Sequence, residues 1–177
     1  MKLIATDLPD VKLIELEPHE DDRGFFARAF CSKELSDAGS PFEIVQANLS
    51  FNYKRGTLRG MHYQQGPIGD PKIVRCISGG VYDVVVDLRP NSPAFCKWTA
   101  AELTAQNRRA FLVPAGCAHG FLTLSNDTEL LYMMGAPFVG ELAGGVRWND
   151  PAFGIKWSFA PDIINERDAS YPDFRPD

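Results

Sequence analysis

Hydrophobic and polar residues alternate in many short runs along this chain, and no long stretch follows the roughly 3.6-residue period of an amphipathic helix. Glycine, proline and aspartate separate these runs, which is typical of strands joined by turns. The pattern indicates an all-β sandwich or barrel. Eleven strands are predicted, over residues 11–16, 24–30, 42–48, 57–64, 72–78, 81–88, 95–103, 109–113, 118–124, 129–134 and 145–148.

The pair Gly79-Gly80 lies between two of these strands and predicts a two-residue hairpin turn. Strands 72–78 and 81–88 should then be antiparallel neighbours. In the second strand, Asp83 shares a face with another carboxylate. If that face points into the barrel, Asp83 is a site residue, and if it points to water, Asp83 is a solvated strand residue. The pattern leaves both readings open.

One helix is predicted, over residues 32–38, with Ser32 as its N-cap and Gly39 as the residue that closes it. The C-terminal residues 168–177 are polar and rich in proline. By composition alone they would form a loosely held tail.

The totals limit the possible partners. The chain has 177 residues, of which 45% are hydrophobic, and this is enough for a single domain with its own core. Its net charge of −5 argues against nucleic acid or an anionic membrane as a partner. Asp7 and Asp10 interrupt the N-terminal apolar run, and no stretch approaches the roughly 18 residues that span a bilayer. We therefore expect a cytoplasmic protein.

The four cysteines are widely spaced and form no CxxC pair. Such spacing favours free, buried thiols over a disulfide framework or a zinc site.

The candidate chemistry is concentrated in the sequence TLRGMHYQ, at residues 57–64. A strand here could direct the Arg59 guanidinium and the His62 imidazole to one face, a combination suited to binding an anion and moving a proton. The alternative is that Arg59 forms a surface ion pair and His62 is an interior histidine with its hydrogen bonds satisfied.

A second histidine, His119, follows a turn in the sequence PAGCAH, at residues 114–119. This pattern resembles the second motif of the cupin barrel. In metal-binding cupins that histidine joins an H-x-H pair and a carboxylate, whereas here the earlier strand reads His62-Tyr63-Gln64. Too few ligands remain for a transition metal. The expected fold is an all-β cupin, a double-stranded β-helix (jelly-roll) barrel with a few short helices and no metal.

Several motifs in order make the resemblance more specific: LRGMHYQ, then KIVRC at residues 72–76, SGGVYDVVVDLR at 78–89, AHGF at 118–121 and RWNDP at 147–151. Together they resemble the dTDP-4-dehydrorhamnose 3,5-epimerase family over nearly the whole chain. The resemblance implies one cupin-type epimerase domain over residues 1–177. It implies a homodimer that inverts C3 and C5, beside the ketone of a nucleotide-linked 4-keto-6-deoxy sugar, without a cofactor.

The resemblance also assigns catalytic roles. His62 would be the base, oriented by Asp168, and Lys72 or a neighbouring donor would stabilise the enolate. Tyr132 would donate a proton from the opposite face of the sugar. Residues 168–177 would then fold back over the barrel mouth. Without the resemblance, Lys72 reads as an edge-strand lysine, Tyr132 as a core phenol and Asp168 as a tail charge.

The substrate-binding residues implied by the resemblance divide by location. Arg59 would bind the diphosphate, and His119 would lie on the phosphate or sugar side. Gln46 and Asn48, on strand 42–48, would contact the nucleotide. Arg23 and Phe26 would reach the site from the partner subunit, through an exchanged N-terminal strand.

Two departures from the family pattern keep alternatives open. Arg28 stands where an acidic residue is usual, which puts the nucleobase in question, and Phe138 stands where many members have a tyrosine. The alternatives are a 3-epimerase, an epimerase of another nucleotide-linked 4-keto sugar, and a non-catalytic sugar-nucleotide-binding cupin. A metal-dependent cupin oxygenase fits less well.

Overall fold

Short β-strands make up most of the computed structural model, which describes residues 1–66 and 69–176. The all-β prediction is confirmed, and each of the eleven predicted strands overlaps an observed one. The strands are β1 (Lys2–Ala5), β2 (Lys12–Glu15), β3 (His19–Asp21), β4 (Gly24–Phe26), β5 (Gln46–Asn52), β6 (Leu58–Gln64), β7 (Lys72–Ser78), β8 (Gly80–Asp87), β9 (Trp98–Thr104), β10 (Ala110–Val113), β11 (Cys117–Thr123), β12 (Thr128–Met134) and β13 (Ala143–Gly145). The α-helices are α1 (Ser32–Asp37) and α2 (Glu166–Ala169), and residues Gly140–Leu142 form a short 3-10 helix.

Two antiparallel sheets form the barrel. One has six strands in the order β1-β2-β10-β7-β12-β5, and the other has five in the order β13-β6-β11-β8-β9. Val74 and Phe111 from the first sheet pack against Val85 and Phe121 from the second in an apolar core. This two-sheet arrangement is the jelly-roll barrel of the cupins. Strands β3 and β4 form a separate two-stranded hairpin.

The predicted Gly79-Gly80 hairpin is wrong. Strand β7 pairs with β10 and β12, whereas β8 pairs with β11 and β9 in the other sheet. Gly79 has φ +71°, and a Cβ there would lie 2.4 Å from the Thr128 Oγ1 atom. The glycine pair therefore lets the chain cross from one sheet to the other in a confined space. The strands that it connects, β7 and β8, do not pair with each other.

Helix α1 lies where it was predicted, but its N-cap is Cys31 and not Ser32, and no side chain caps it by a hydrogen bond. Gly39 follows the helix with φ +73°, as expected of a closing residue. Strands β1 and β3 were missed, because each is short and exposed and carries no clear alternation.

Both faces of the five-stranded sheet are covered. Asp83 on β8 points into the barrel and is fully buried, which decides the question that its sequence context left open. Val84 and Val86 point outward and pack against Phe153 and other residues of the C-terminal segment, by which we mean residues 151–176. A continuous apolar strand is expected where both faces are covered.

The C-terminal segment is fastened to this sheet. The Leu58 N–H donates to the Ile163 carbonyl at 2.8 Å, and the Phe174 N–H donates to the Asp150 carboxylate at 2.6 Å. The Phe174 ring lies 5.1 Å from the Phe153 ring. The segment is therefore held by hydrogen bonds and aromatic contacts, unlike the loose tail that its composition suggested.

The four cysteines are free, as predicted, and two of them, Cys76 and Cys117, are buried. Among the residues that the structure describes, no helix is both long enough and apolar enough to cross a membrane.

Candidate active site

A cavity of about 310 Å³ opens between the two sheets. Its polar lining comes from both of them, with His62 on β6 and His119 on β11 facing Lys72 on β7 and Tyr132 on β12. The remaining lining residues are Asn48, Leu49, Ser50, Arg59 and Met134. The cavity thus gathers most of the residues to which the sequence resemblance assigned roles.

His62 is held by a carboxylate from a distant part of the chain. Its Nε2 atom lies 2.8 Å from Asp168 Oδ1, and the second carboxylate oxygen accepts the Gly60 N–H at 3.0 Å. Burial disfavours the ionised form of Asp168, but the hydrogen bonds from His62 and Gly60 outweigh it and hold the pKa of Asp168 below its usual value. Asp168 is therefore a carboxylate at neutral pH.

Asp168 reaches His62 because of its helix. The Asn165 side chain accepts the Asp168 N–H at 2.7 Å and so caps the short helix α2. Asp168 is the buried residue of that helix and faces β6. The His62 side chain as a whole is 41% exposed, and it also lines the cavity.

A strand irregularity puts Arg59 and His62 on the same side. Strict alternation would send side chains three positions apart to opposite faces of a strand. The register between β6 and β11 shifts here, with His62 opposite His119 but Arg59 opposite Phe121, so β6 contains one extra residue. The shared face that the sequence predicted is therefore reached through a bulge.

The bulge depends on two glycines. Gly60 has φ +132°, and a Cβ there would lie 2.5 Å from the Gly120 Cα atom. A Cβ on Gly120 would in turn lie 2.6 Å from the Met61 sulfur. Only glycine allows the two backbones to approach so closely, and the approach sets His62 beside His119.

Lys72 and Tyr132 bring an ammonium group and a phenol to the cavity. Lys72 is buried, and its Nζ atom donates to the Asp70 carboxylate. Burial raises the pKa of Tyr132 well above its usual value, and the nearby Asp83 adds to the effect while Arg59 opposes it. The phenol form of Tyr132 is therefore favoured over the phenolate.

His119 also binds a buried carboxylate. Its Nε2 atom lies 2.8 Å from Asp83 Oδ1, and its ring meets the Tyr132 ring edge to face at a centroid distance of 5.9 Å. Asp83, whose orientation sequence reasoning left undecided, thus lies inside the barrel against a cavity residue. The alternation along β8 limited it to two faces, but only the packing of the sheets decides which face is inside.

Arg59 is directed by a residue that the sequence did not single out. The Arg59 Nε atom donates to the Asn52 Oδ1 atom at 2.8 Å. Asn48 lines the cavity, while Gln46 lies next to it and donates to the Asn48 side chain at 3.0 Å. The signal for Asn52 was available, since residues 46, 48, 50 and 52 share one face of β5.

Arg23 and Phe26 lie apart from this cavity. Both are on the β3–β4 hairpin, where Phe26 is 77% exposed and Arg23 pairs with Asp21. Within one chain the structure does not bring them to the other site residues.

Across residues 1–66 and 69–176, no three histidine, cysteine or acidic side chains are grouped to hold a metal ion. The two neighbouring histidines, His62 and His119, each direct Nε2 to a carboxylate. The arrangement is suited to proton transfer and to binding anionic groups.

Comparisons with known proteins identify the family. The family model for dTDP-4-dehydrorhamnose 3,5-epimerase matches residues 5–176. The dTDP-4-dehydrorhamnose 3,5-epimerase of Sinorhizobium fredii is 40% identical over 169 residues, which are 95% of this chain and 87% of that protein.

Solved structures give the same result. The dTDP-4-dehydrorhamnose 3,5-epimerase of Bacillus anthracis, with TDP and PPi bound, has a TM-score of 0.94 at 38% identity and covers 98% of this chain and 99% of its own. ChmJ, a 3'-monoepimerase from Streptomyces bikiniensis in complex with dTDP-quinovose, has a TM-score of 0.87 at 30% identity, covering 95% and 85%. This chain therefore belongs to the dTDP-4-dehydrorhamnose 3,5-epimerase family.

Proposed function

We propose that this protein inverts C3 and C5 of a dTDP-4-dehydro-6-deoxy-hexose by proton transfer through an enolate. One observation carries the proposal: His62, backed by the buried Asp168 carboxylate, and Tyr132, from the opposite sheet, line one cavity. Inversion requires a proton to leave one face of a carbon and another to arrive at the opposite face. A base and an acid on facing walls meet that requirement.

His62 is the base in this proposal. Its Nε2 atom is directed to Asp168, so the other ring nitrogen, Nδ1, is the one available to the substrate. The Asp168 carboxylate holds the ring in one orientation and lies beside the positive charge that the ring gains when it takes a proton. The carbons beside the ketone are acidic enough for such a base only if the enolate oxygen is stabilised at the same time.

Lys72 and Tyr132 complete the proposed reaction. The Lys72 ammonium can stabilise the negative oxygen of the enolate. Burial raises the pKa of Tyr132 and so favours the phenol over the phenolate, and this phenol carries the proton that the opposite face of the carbon would receive. Each step is a proton transfer, and the proposed reaction therefore requires no metal ion and no redox cofactor.

The nucleotide half of the substrate is assigned to the other cavity residues. Arg59 carries a permanent charge and a planar set of donors, which suits a diphosphate. Asn48 and Gln46, linked by a hydrogen bond on β5, would contact the nucleotide. His119 would contact the phosphate or the sugar.

The proposal includes a homodimer in which Arg23 and Phe26 complete the cavity of the partner. Two exposed features support it. The β3–β4 hairpin presents Phe26 to solvent, and the edge strand β5, beside the cavity, carries Leu49 at 64% exposure. A second copy of the chain would cover both apolar surfaces. The free cysteines fit a reducing compartment, and we place the protein in the cytoplasm.

Inversion at C3 alone is the second candidate. It is favoured by the similarity to ChmJ, a 3'-monoepimerase, and by Phe138, which lacks the hydroxyl of the usual tyrosine. The second departure from the family pattern, Arg28, is a weaker reason to question the nucleobase, because its guanidinium pairs with the Glu34 carboxylate of the same chain.

Deuterium incorporation tests the proposal. We expect the protein, incubated in deuterated water with the dTDP-4-keto-6-deoxy sugar, to incorporate label at both C3 and C5. Label at C3 alone would support the second candidate, and no label would contradict both. Tyr132→Phe should reduce formation of the inverted product on the order of 10²–10⁴-fold, because His62 alone can return a proton only to the face from which it was removed. The matched control is Tyr82→Phe, because Tyr82 packs on the outer face of the barrel against Trp157 and should leave product formation unchanged.

A further inference from the structure

Asp83 and His119 form a second buried pair in the barrel, in addition to His62 and Asp168. They lie on the neighbouring strands β8 and β11, and His119 Nε2 is 2.8 Å from Asp83 Oδ1. Both side chains are almost completely buried. The second oxygen, Asp83 Oδ2, has no hydrogen-bond partner in the part of the chain that the structure describes.

An unprotonated pair would leave one uncompensated negative charge in the barrel interior. Burying a charge without a hydrogen-bonded partner is costly, and a proton taken up by the pair removes that cost. Burial raises the pKa of Asp83, against the opposing effects of His119 and Lys72. The geometry and the electrostatics thus both favour a pair that holds a proton.

The proton can lie nearer to either partner with the same result for the cavity. With a carboxylate and an imidazolium, both ring nitrogens carry hydrogen. With a carboxylic acid that donates to Nε2, the neutral ring carries its hydrogen on Nδ1. In both forms Nδ1 is a donor, and it is the nitrogen that the contact with Asp83 leaves available to the cavity.

Titratable and charged groups on strand β6, and on strands β7 and β12 of the facing sheet, lie around the Asp83–His119 pair. They are Arg59 and His62 on β6, Lys72 and Cys76 on β7, and Tyr132 on β12. Charges of both signs are present, because Asp168 contacts His62 and Asp70 contacts Lys72. The Arg59 guanidinium donates to the neutral Asn52 amide and suits a ligand with an anionic oxygen.

We propose that Asp83 is a positioning residue that keeps a proton on the Asp83–His119 pair, so that His119 donates an N–H to an anionic oxygen of the substrate. The inference rests on the proposed function. That oxygen belongs either to the enolate or to the diphosphate. A proton-holding pair below the cavity would supply a donor whose direction is fixed before the substrate binds.

A double-mutant cycle tests whether Asp83 acts through His119. Leucine is close to Asp83 in size but can neither donate nor accept a hydrogen bond, so it removes the contact with His119 Nε2 in both protonation forms. We expect Asp83→Leu to lower kcat/KM for the epimerisation about 10- to 100-fold. When His119→Gln is already present, adding the Asp83 substitution should lower kcat/KM no more than about threefold, because the His119 ring through which Asp83 acts is already missing.

The two possible oxygens are separated by measuring dTDP binding to the same variants. A loss in kcat with unchanged dTDP affinity assigns the hydrogen bond to the enolate, and a matching loss of dTDP affinity assigns it to the diphosphate. Both results support the proposal. Additive effects of the two changes, or wild-type activity in Asp83→Leu, would overturn it.

The matched control is Asp87→Leu. Asp87 is also fully buried on β8, but it binds Arg89 and Ser92 and is no part of the cavity lining. This variant should lose stability while kcat/KM stays within about twofold of wild type. An equal loss of kcat/KM in both variants would assign the Asp83 effect to general destabilisation and overturn the proposal.

A measurement on the wild-type protein avoids any dependence on the folding of variants. The chain has three histidines, so nitrogen NMR of imidazole-labelled protein should resolve each ring. We expect the His119 Nδ1 atom to carry hydrogen at neutral pH, and an unprotonated Nδ1 would contradict the proposal. This result is independent of catalysis, whereas absence of deuterium incorporation by the wild type would contradict the proposed function itself.

Discussion

At the scale of single residues, the contact between His62 and Asp168 makes a direct prediction. Asp168→Asn keeps the shape of the side chain but removes the charge that stabilises a protonated His62. We expect kcat to fall on the order of 10²–10⁴-fold, as measured by deuterium incorporation. The control is Asp173→Asn, an exposed carboxylate of the same segment, which should retain activity.

The same contact predicts a dependence of stability on pH. The folded-state pKa of Asp168 is lowered, so its contribution is fully present above the unfolded value of about 3.9 and is lost as pH falls through the lower folded value. The stability difference between wild type and Asp168→Asn should therefore be large at pH 7 and shrink below about pH 4. Urea unfolding at several pH values measures it, and a constant difference would contradict the assignment.

Sequence reasoning reached these residues unequally. His62 and Arg59 could be selected from one strand, since scarce residue types with suitable chemistry stood close together. Asp168 could be assigned only through the family resemblance, because 106 positions separate it from His62. Asp83 stayed undecided, because alternation defines two faces of a strand but does not say which one is covered.

At the scale of elements, strands were predictable and their partners were not. Short-range alternation located all eleven predicted strands, and β7 has the predicted limits. The Gly79-Gly80 turn failed because a glycine pair specifies a sharp change of direction and does not specify which sheet receives the next strand. In a jelly roll many sequence neighbours lie in different sheets.

The C-terminal segment supplies a prediction about an element. Asp150, in the RWNDP motif, is buried and accepts the N–H groups of Ala152 at 2.8 Å and Phe174 at 2.6 Å. Asp150→Ala would leave both donors without an acceptor, and we expect a loss of about 1–3 kcal/mol in the free energy of unfolding. Limited proteolysis should also cut the released tail faster than in wild type.

The control for this variant is Asp173→Ala, which removes an exposed ion pair with Arg147 and should cost no more than about 1 kcal/mol. Proteolysis of Asp150→Ala at the wild-type rate would indicate that aromatic packing of Phe174 alone holds the segment.

At the scale of the whole molecule, the proposed dimer explains why one chain leaves Arg23 and Phe26 away from the cavity. A hairpin that served its own cavity would be expected to pack beside it, but within residues 1–66 and 69–176 the strands β3 and β4 pair only with each other. The exposed Phe26 and the exposed apolar residues of β5 are what a reciprocal exchange between two copies would cover. The two sites of such a dimer would each combine residues from both chains.

This arrangement can be tested by mixing two inactive variants. His62→Ala removes the base from its own cavity, and the double variant Arg23→Ala and Phe26→Ala removes the contribution of the hairpin. In a mixed dimer with exchanged hairpins, one site combines an intact cavity with an intact hairpin. Statistical mixing would then restore roughly a quarter of wild-type activity.

If each hairpin instead served the cavity of its own chain, both sites of the mixed dimer would be defective and mixing would restore nothing. Refolding the variants together and separately, with subunit composition measured by native mass spectrometry, distinguishes the two arrangements. Mixed dimers without activity would rule out the exchange, since every such dimer contains one intact cavity and one intact hairpin. The presence of mixed dimers shows that the subunits assembled, so a loss of assembly cannot account for that result.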